Sequence, residues 1–423
     1  MVNAIHFIEG RTQQEQPLSD EEFKQRLQHF GQQPRQVRHL KFNDMVEAFY
    51  TLYQRLASPK HPVHRQLRHV GLAYLLTFIH PDSLRSFLKR GLRHEQVLDQ
   101  VVDLTGMSVT AVPRGMIGHW MAGNVPLLSL ISVIQAILTK NHSIVKLSSR
   151  QIDYISPFLA ELSKCGQAGQ VMSESVMVVS YPGKDTIWNQ QVAAQCDVRV
   201  AWGGREAVHA VSSLPGKPES ETLIFGPKYS CAVIDPAQMD TADWTRIAQD
   251  MLLFNQLACS SPHALIVKGD KQVSLDAGGR LAEALQKPLR SHVSQPFDAG
   301  ETMKVVHYRT RAWLKGERLL VSEGAEWTLH FHDRLEPLTG EGLHILHVYP
   351  SKDMSEIGHV LPPSIQTISH KLEEEDMLRL LDSVRFQGVS RIVPVGKAHH
   401  YQLPWDGMLV LDRFVRWITV EKG

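Results

Sequence analysis

A chain of 423 residues exceeds what one small core organises, and its 43% hydrophobic and 21% charged content is that of a globular protein with two large domains, or two and a minor third. Its 45 Lys and Arg nearly balance 44 Asp and Glu, so no strong field gathers nucleic acid or an anionic membrane, and any anionic partner must be held locally. The four cysteines, Cys165, Cys196, Cys231 and Cys259, lie far apart with no CxxC pair, which argues against a zinc ribbon or a disulfide framework and fits a reducing compartment.

The opening MVNAIHFIEGRTQQEQ has neither a basic start with an apolar core nor a small-residue cleavage site, so it does not read as a signal peptide and a cytoplasmic location is expected. Residues 1–105 read as a helical N-terminal extension, with apolar residues at helical spacing in FNDMVEAFYTLYQRLA and VGLAYLLTFI. Ser19 followed by Asp20, Glu21 and Glu22 predicts a helix start, because carboxylates suit the positive end of the helix dipole.

From about residue 112 short apolar runs alternate with helical segments. MIGHWMAGN predicts a strand and turn, Pro126–Leu138 a helix, SIVKLSS a strand, ISPFLAELSKCG a helix, VMVVSYPG and DVRVAWGG two strands, and REAVHAVSS a helix. The apolar stretch Val125–Leu138 carries Pro126, Ser129, Ser132 and Gln135 and falls short of the about 20 residues a bilayer span needs, so no integral membrane segment is expected. Such alternation predicts an α/β fold with a parallel sheet over residues 106–229, a dinucleotide fitting at its carboxyl edge. A second unit, 230–400, begins near CAVIDP and continues through a long helix to Leu257, a turn carrying Cys259 and the strand HALIVKG. Gly278–Leu320 shows no readable element; HILHVYP, IQTISH and RIVPVG are strand-like. The closing segment, 401–423, holds PWDG and MLVLDRFVRWITV, a terminal strand or helix that could serve oligomerisation.

Cys259 lies in FNQLACSSP, between an amphipathic helical run and a strand. At such a turn a thiol can face a cleft where backbone amides stabilise thiolate and oxyanion, although a lone free cysteine is more often a buried structural one. AGNVPLL, IVKLSS, VAWGG, FGPKYS and QLACSSP follow one another in an order and spacing that resembles the aldehyde dehydrogenase superfamily. The resemblance is strongest to its acyl-CoA reductase branch, typified by the long-chain fatty-acid reductase of bacterial bioluminescence (LuxC type). It covers roughly residues 110–415, with QLACSSP and the later RIVPVG and PWDG its most specific parts.

This resemblance implies an aldehyde dehydrogenase-like architecture, a Rossmann-like cofactor domain plus an α/β catalytic domain with Cys259 as nucleophile. It implies that the Asn124 amide helps form the oxyanion hole, that Lys146 holds the adenosine ribose, and that Gly203 and Gly204 bring backbone amides near the pyrophosphate. Where relatives often place a glutamate three residues after the lysine, this chain has Ser149, followed by Arg150. With Ser148 and Arg150 beside Lys146 and no carboxylate to repel a 2'-phosphate, NADPH is preferred over NADH. Phe225 stands where aldehyde-oxidising relatives carry the glutamate that activates water, and Glu221 lies four residues earlier. An acyl-cysteine should then resist hydrolysis. The motif that positions the nicotinamide ribose is not legible in RLEPLTGEG, and no residue is carried over there.

The expected reaction is NADPH-dependent reduction of a thioester-activated fatty acyl group to the aldehyde, the acyl group coming from acyl-CoA, an acyl-carrier protein or an acylated partner protein. An aldehyde-oxidising dehydrogenase and a non-catalytic scaffold or acyl-transfer subunit of a fatty-acid reductase complex are the alternatives. A homo-oligomer and no nucleic-acid partner are expected. The 22 histidines, among them His399, His400 and the trio His330, His332 and His344, show no HExxH or other metal spacing, so they read as surface or structural and no metal is expected. Cys165, Cys196 and Cys231 read as core, Trp405 as a packing residue, and Lys371–Asp376 as a solvated helix start.

Overall fold

Short runs centred on β-branched residues become strands buried on both faces. HSIVK, VMVVS and VRVAW are buried at every position, polar His142, Ser143, Lys146 and Arg199 included, as expected of parallel strands covered by helices on either side. The computed structural model describes residues 3–13, 16–68, 71–123, 126–148, 152–286 and 297–421. It comprises two compact units, 1–226 with 402–423, and 227–401.

In chain order the first unit contributes β1 (Ala4–Ile8), β2 (Arg11–Thr12), β3 (Val102–Leu104), β4 (Met107–Pro113), β5 (Met116–Trp120), β6 (His142–Lys146), β7 (Val176–Ser180), β8 (Val198–Trp202) and β9 (Glu221–Phe225). Its main sheet runs β2-β1-β7-β6-β5-β8-β9. From β7 to β9 all pairings are parallel. Numbered from β5, that order is 3-2-1-4-5, the doubly wound arrangement in which successive crossovers leave β5 toward opposite edges.

Residues 1–105 do not stand apart as a helical extension: they belong to the first unit, and β1 extends its sheet antiparallel to β7. The helix predicted after Ser19 spans Asp20–Gln32 and starts with a capping box, Ser19 accepting from the Glu22 N–H and Glu22 from the Ser19 N–H. It docks through Phe23, which stacks on Trp188 at 3.6 Å with 4° between the rings, while the Trp188 indole donates to Asp20 at 2.7 Å.

The second unit contributes β10 (Tyr229–Ile234), β11 (Pro262–Lys268), β12 (Arg318–Val321), β13 (Thr328–Phe331), β14 (Ile345–Ser351), β15 (Ile365–Lys371) and β16 (Arg391–Pro394), in the order β12-β13-β14-β11-β10-β15-β16. Only β12 is antiparallel to its neighbour. The unread stretch beyond Gly278 holds the end of a helix, Lys271–Gln286, a second helix, Ala299–Leu314, and β12.

The helix expected to reach Leu257 ends at Leu252, because Phe254, Asn255 and Gln256 adopt left-handed φ values of 56°, 53° and 59° that no α-helix continues. The closing segment is a short helix, Val410–Arg413, followed by β17 (Val415–Thr419), which pairs antiparallel with β4 in a three-stranded sheet β17-β4-β3 of the first unit. Among the described residues no helix is long and apolar enough to cross a membrane.

Trp188 is fully buried, so Trp188→Ala leaves a cavity and an unpaired Asp20 carboxylate. It should lower unfolding stability by about 3–5 kcal/mol, read as a lower urea midpoint by circular dichroism, with Trp188→Phe losing less.

Candidate active site

The candidate cofactor residues of the first unit follow the carboxyl ends of β5, β6 and β8. β5 leads toward Asn124, which lies outside the described residues, as does Arg150 beyond β6. Lys146 is the last residue of β6. It is not a solvated lysine: it is 7% exposed, its Nζ lies 5.4 Å from the centre of the Tyr181 ring, and burial lowers its pKa. Among the described residues no carboxylate pairs with it. Ser148 follows, half-buried.

Gly203 and Gly204 form the turn between β8 and the helix Arg205–Ser212. Gly203 has φ +148°, and a Cβ there would press on Ala207 at 3.3 Å. A Cβ on Gly204 would meet nothing within 4 Å, so the space over the first helical turn is open to a ligand. These residues therefore border the crevice between β5 and β8, where the strand order reverses and amide N–H groups at a helix start suit phosphate.

Phe225 ends β9 and is turned into the first unit's interior, stacked on Trp202 at 3.9 Å with 10° between rings; its neighbour Ile224 is 45% exposed. Neither position carries a carboxylate. Glu221 is bound to two guanidiniums, Arg114 at 2.9 Å and Arg413, which hold it as an ion-paired anion rather than a free base.

In the second unit Cys259 lies just before β11, at the amino edge of the sheet. It is the one partly exposed thiol of the four; Cys165, Cys196 and Cys231 are buried, the last two pushed up to about 12 by burial. The turn that carries it follows the left-handed residues, and Gln256 pins it by donating its amide N–H groups to the Pro262 carbonyl at 2.8 Å and the Ile345 carbonyl at 3.1 Å. Ser230, near the start of β10, donates its hydroxyl to the Cys259 carbonyl at 2.7 Å. Gln366, near the start of β15, donates from Nε2 toward the sulfur at 3.4 Å. Thus β10, β11 and β15 together fix both the backbone and the thiol of Cys259.

Beside it a buried chain runs from Ser260 through His399 to the helix Thr241–Leu252. Nε2 of His399 lies 2.9 Å from the Asp250 carbonyl, which only accepts, so Nε2 carries the proton and Nδ1 accepts from the Ser260 hydroxyl at 2.9 Å. Burial lowers His399 to about 4, which keeps it neutral, and raises the Asp250 carboxyl to about 7, where it accepts from the Gly396 N–H at 2.8 Å. Gln366, Ser230, Asp250 and His399 were not foreseen. The signals were present: a Gln inside the apolar run IQTISH, and an Asp on the buried side of an amphipathic helix.

The histidine reading needs correction. His344 stands apart, its ring lying between the carbonyls of Glu326, 2.7 Å from Nδ1, and Leu252, 3.2 Å from Nε2; its single N–H can donate to only one of them. His347 joins His330 and His332 instead, each offering a ring nitrogen within 4.8 Å of the others. No spacing rule finds this, because two of the rings lie on β13 and its continuation and the third on β14. Burial lowers all three pKa values, His330 to about 4 and His347 to about 3, so the rings are neutral at pH 7.

The family model described as Acyl-CoA reductase (LuxC) matches residues 37–417. The chain is 30% identical over 419 residues to the long-chain acyl-protein thioester reductase of Aliivibrio fischeri, covering 90% of this chain and 83% of that relative. A crystal structure of Bradyrhizobium japonicum Proline Utilization A (PutA) superposes with a TM-score of 0.69 at 17% identity, over 94% of this chain and 44% of that one. A putative methylmalonate-semialdehyde dehydrogenase from Sinorhizobium meliloti, complexed with NAD, superposes with a TM-score of 0.66 at 12% identity, over 99% and 98%. The chain belongs to the acyl-CoA reductase (LuxC) family and is an acyl reductase built on the aldehyde dehydrogenase fold.

Proposed function

We propose that the chain uses NADPH to reduce a thioester-activated fatty acyl group to the aldehyde, through an acyl thioester formed on Cys259. The observation that carries this reading is the setting of Cys259, a partly exposed thiol whose backbone carbonyl and sulfur are each held by a side chain from a neighbouring strand. The Aliivibrio fischeri relative is named for reduction of long-chain acyl-protein thioesters, which supports the same substrate class here.

The sulfur of Cys259 attacks the acyl carbonyl carbon, and collapse of the tetrahedral adduct breaks the bond to the carrier sulfur, which leaves as the thiol. When bound, the reduced nicotinamide supplies the hydride that lowers the acyl-cysteine carbonyl to the aldehyde level. The hemithioacetal oxyanion then re-forms its carbonyl and expels the Cys259 thiolate, releasing aldehyde. Gln366 offers its N–H to the sulfur whenever charge returns there. Asn124, by the family resemblance, offers its amide to the oxyanion. Hydrolysis of the intermediate would need a base; with Phe225 buried and Glu221 locked between Arg114 and Arg413, neither position supplies one.

The first unit fits the dinucleotide: the reversing strand order, the open space above Gly204 and the Lys146 cation, which has no carboxylate partner among the described residues, suit pyrophosphate and ribose. The preference for NADPH over NADH rests on Ser149 standing in place of a carboxylate, with Ser148 and Arg150 beside it. The acyl donor is acyl-CoA, an acyl carrier or an acylated partner protein. A cytoplasmic location is part of the same reading, supported by the four free thiols. The outer edge of β17, unpaired among the described residues and with Ile418 44% exposed, supports association of copies.

Intact-protein mass spectrometry after incubation with long-chain acyl-CoA should show one added acyl group, discharged when NADPH is supplied. Cys259→Ala should show no adduct and no aldehyde; undiminished acylation of that variant would sink the nucleophile assignment. Lys146→Met, which keeps the side chain's bulk, should raise KM for NADPH roughly 10- to 100-fold, the worth of one charge-assisted hydrogen bond. An unchanged KM removes Lys146 from the cofactor site.

A further inference from the structure

The histidine cluster has the form of a ligand site. β13 and β14 are parallel neighbours with His330 paired in register to His347. His332 lies two residues beyond His330, its N–H still bonded to the Val348 carbonyl, so the ladder continues and both rings stand on one face. One nitrogen from each ring lies within 4.8 Å of the others. Tetrahedral zinc, with Zn–N bonds of about 2.0–2.1 Å, places ligand nitrogens about 3.4 Å apart, so small ring rotations close the cage.

Two features separate this cluster from a merely packed stack of rings. The first is an orphan: Nε2 of His347, a residue 3% exposed, has no hydrogen-bond partner among the described residues, although an unsatisfied buried polar atom is destabilising. The second is the surrounding hydrogen bonding. Nδ1 of His330 is 2.6 Å from the Tyr308 hydroxyl, and Nδ1 of His332 is 2.7 Å from the Glu336 carboxylate. Metal-binding histidines characteristically have their far nitrogen held by a carboxylate or another polar group, which fixes the ring and leaves Nε2 for the ion. Nε2 of His332 lies 2.9 Å from Nδ1 of His347, so the ion displaces that hydrogen bond and takes the unpartnered Nε2 of His347 instead.

We infer that His330, His332 and His347 bind a divalent transition-metal ion of the zinc class, with Glu317, whose carboxylate lies 3.5 Å from Nε2 of His330, as the fourth ligand. Three imidazoles and one carboxylate are a donor set suited to zinc, cobalt or nickel and ill suited to calcium or magnesium. Glu317 immediately precedes β12, the antiparallel edge strand, so the ion ties that edge to β13 and β14. Access is from the side of His332 and Glu336, whose side chains are 16% and 42% exposed. None of the four ligands is among the residues that hold Cys259, so the site stands or falls independently of the proposed reaction.

The test uses the full chain stripped with a chelator and dialysed. Titration with zinc chloride, followed by calorimetry and elemental mass spectrometry, should give one equivalent bound and a raised Tm. His330→Gln and His347→Gln should each weaken binding by at least about tenfold, whereas Cys259→Ser should leave it intact. Cobalt(II) on the unmodified protein gives a readout independent of any variant: intense visible ligand-field bands of a tetrahedral site without the near-ultraviolet charge-transfer band of a thiolate ligand. The proposal is overturned by no stoichiometric zinc uptake, by uptake that survives both histidine substitutions, or by a thiolate band that disappears in Cys259→Ser.

Discussion

Parallel strand pairing is the constraint on which the rest of this protein depends. A parallel pair cannot be closed by a tight turn, so each return is a crossover, and every strand-to-helix turn collects on one sheet edge while every return collects on the other. The first unit exploits the edge where helices begin. There the Gly203-Gly204 turn meets the start of Arg205–Ser212, whose free amide groups favour anions. The second unit sets its cysteine on the opposite edge, where helices end and carbonyl groups predominate. There side chains hold it: Gln366 faces the sulfur, Ser230 donates to the Cys259 carbonyl, and Gln256 ties the preceding residues to the Pro262 carbonyl.

Holding the thiol this way has a conformational cost. Three successive residues, Phe254 to Gln256, sit in the left-handed region, where each non-glycine residue costs of order 1 kcal/mol. Such strain persists only where the surroundings over-determine it. Here the two carbonyls gripped by Gln256, and the buried line from Ser260 through His399 to Asp250, do so. The strain shortens the preceding helix and frees the segment carrying Leu257 and Cys259 from helical geometry, so that the thiol is partly exposed while its neighbour Ser261 is buried.

How far these features could be read without coordinates follows from the physics of each. Strands covered on both faces tend to be apolar runs, so β7, β8, β11, β14 and β15 were recognisable, as was the capping box at Ser19. Other strands carry no such signal: β12, at the sheet's edge, is mostly exposed, and β1 pairs with a strand far along the chain, so neither was seen. The premature end of the helix at Leu252 was invisible, because Phe254 and Gln256 give no local hint of positive φ. Cys259, Lys146 and the paired glycines stand out by their order along the chain, whereas the groups packed around Cys259 do not. Gln366 is 107 residues from Cys259, and His399 is 139 from Ser260, so only the folded sheet brings them together. The three histidines failed for the same reason, since metal motifs are recognised by short spacing and this one is assembled across a strand pair.

The return of residues 402–421 to the first unit has a consequence for biosynthesis. Glu221 on β9 is bound both by Arg114, ahead of β5, and by Arg413, almost at the end of the chain, and β4 lies between its neighbours β3 and β17 with some 300 residues separating the two pairings. The second unit is thus an insertion within the first. During translation the inserted unit has its whole sequence available first, while the enclosing unit must wait with one edge of β4 unpaired and Glu221 held by Arg114 alone. The unit that encloses the insertion can therefore be sealed only after the inserted unit has been made.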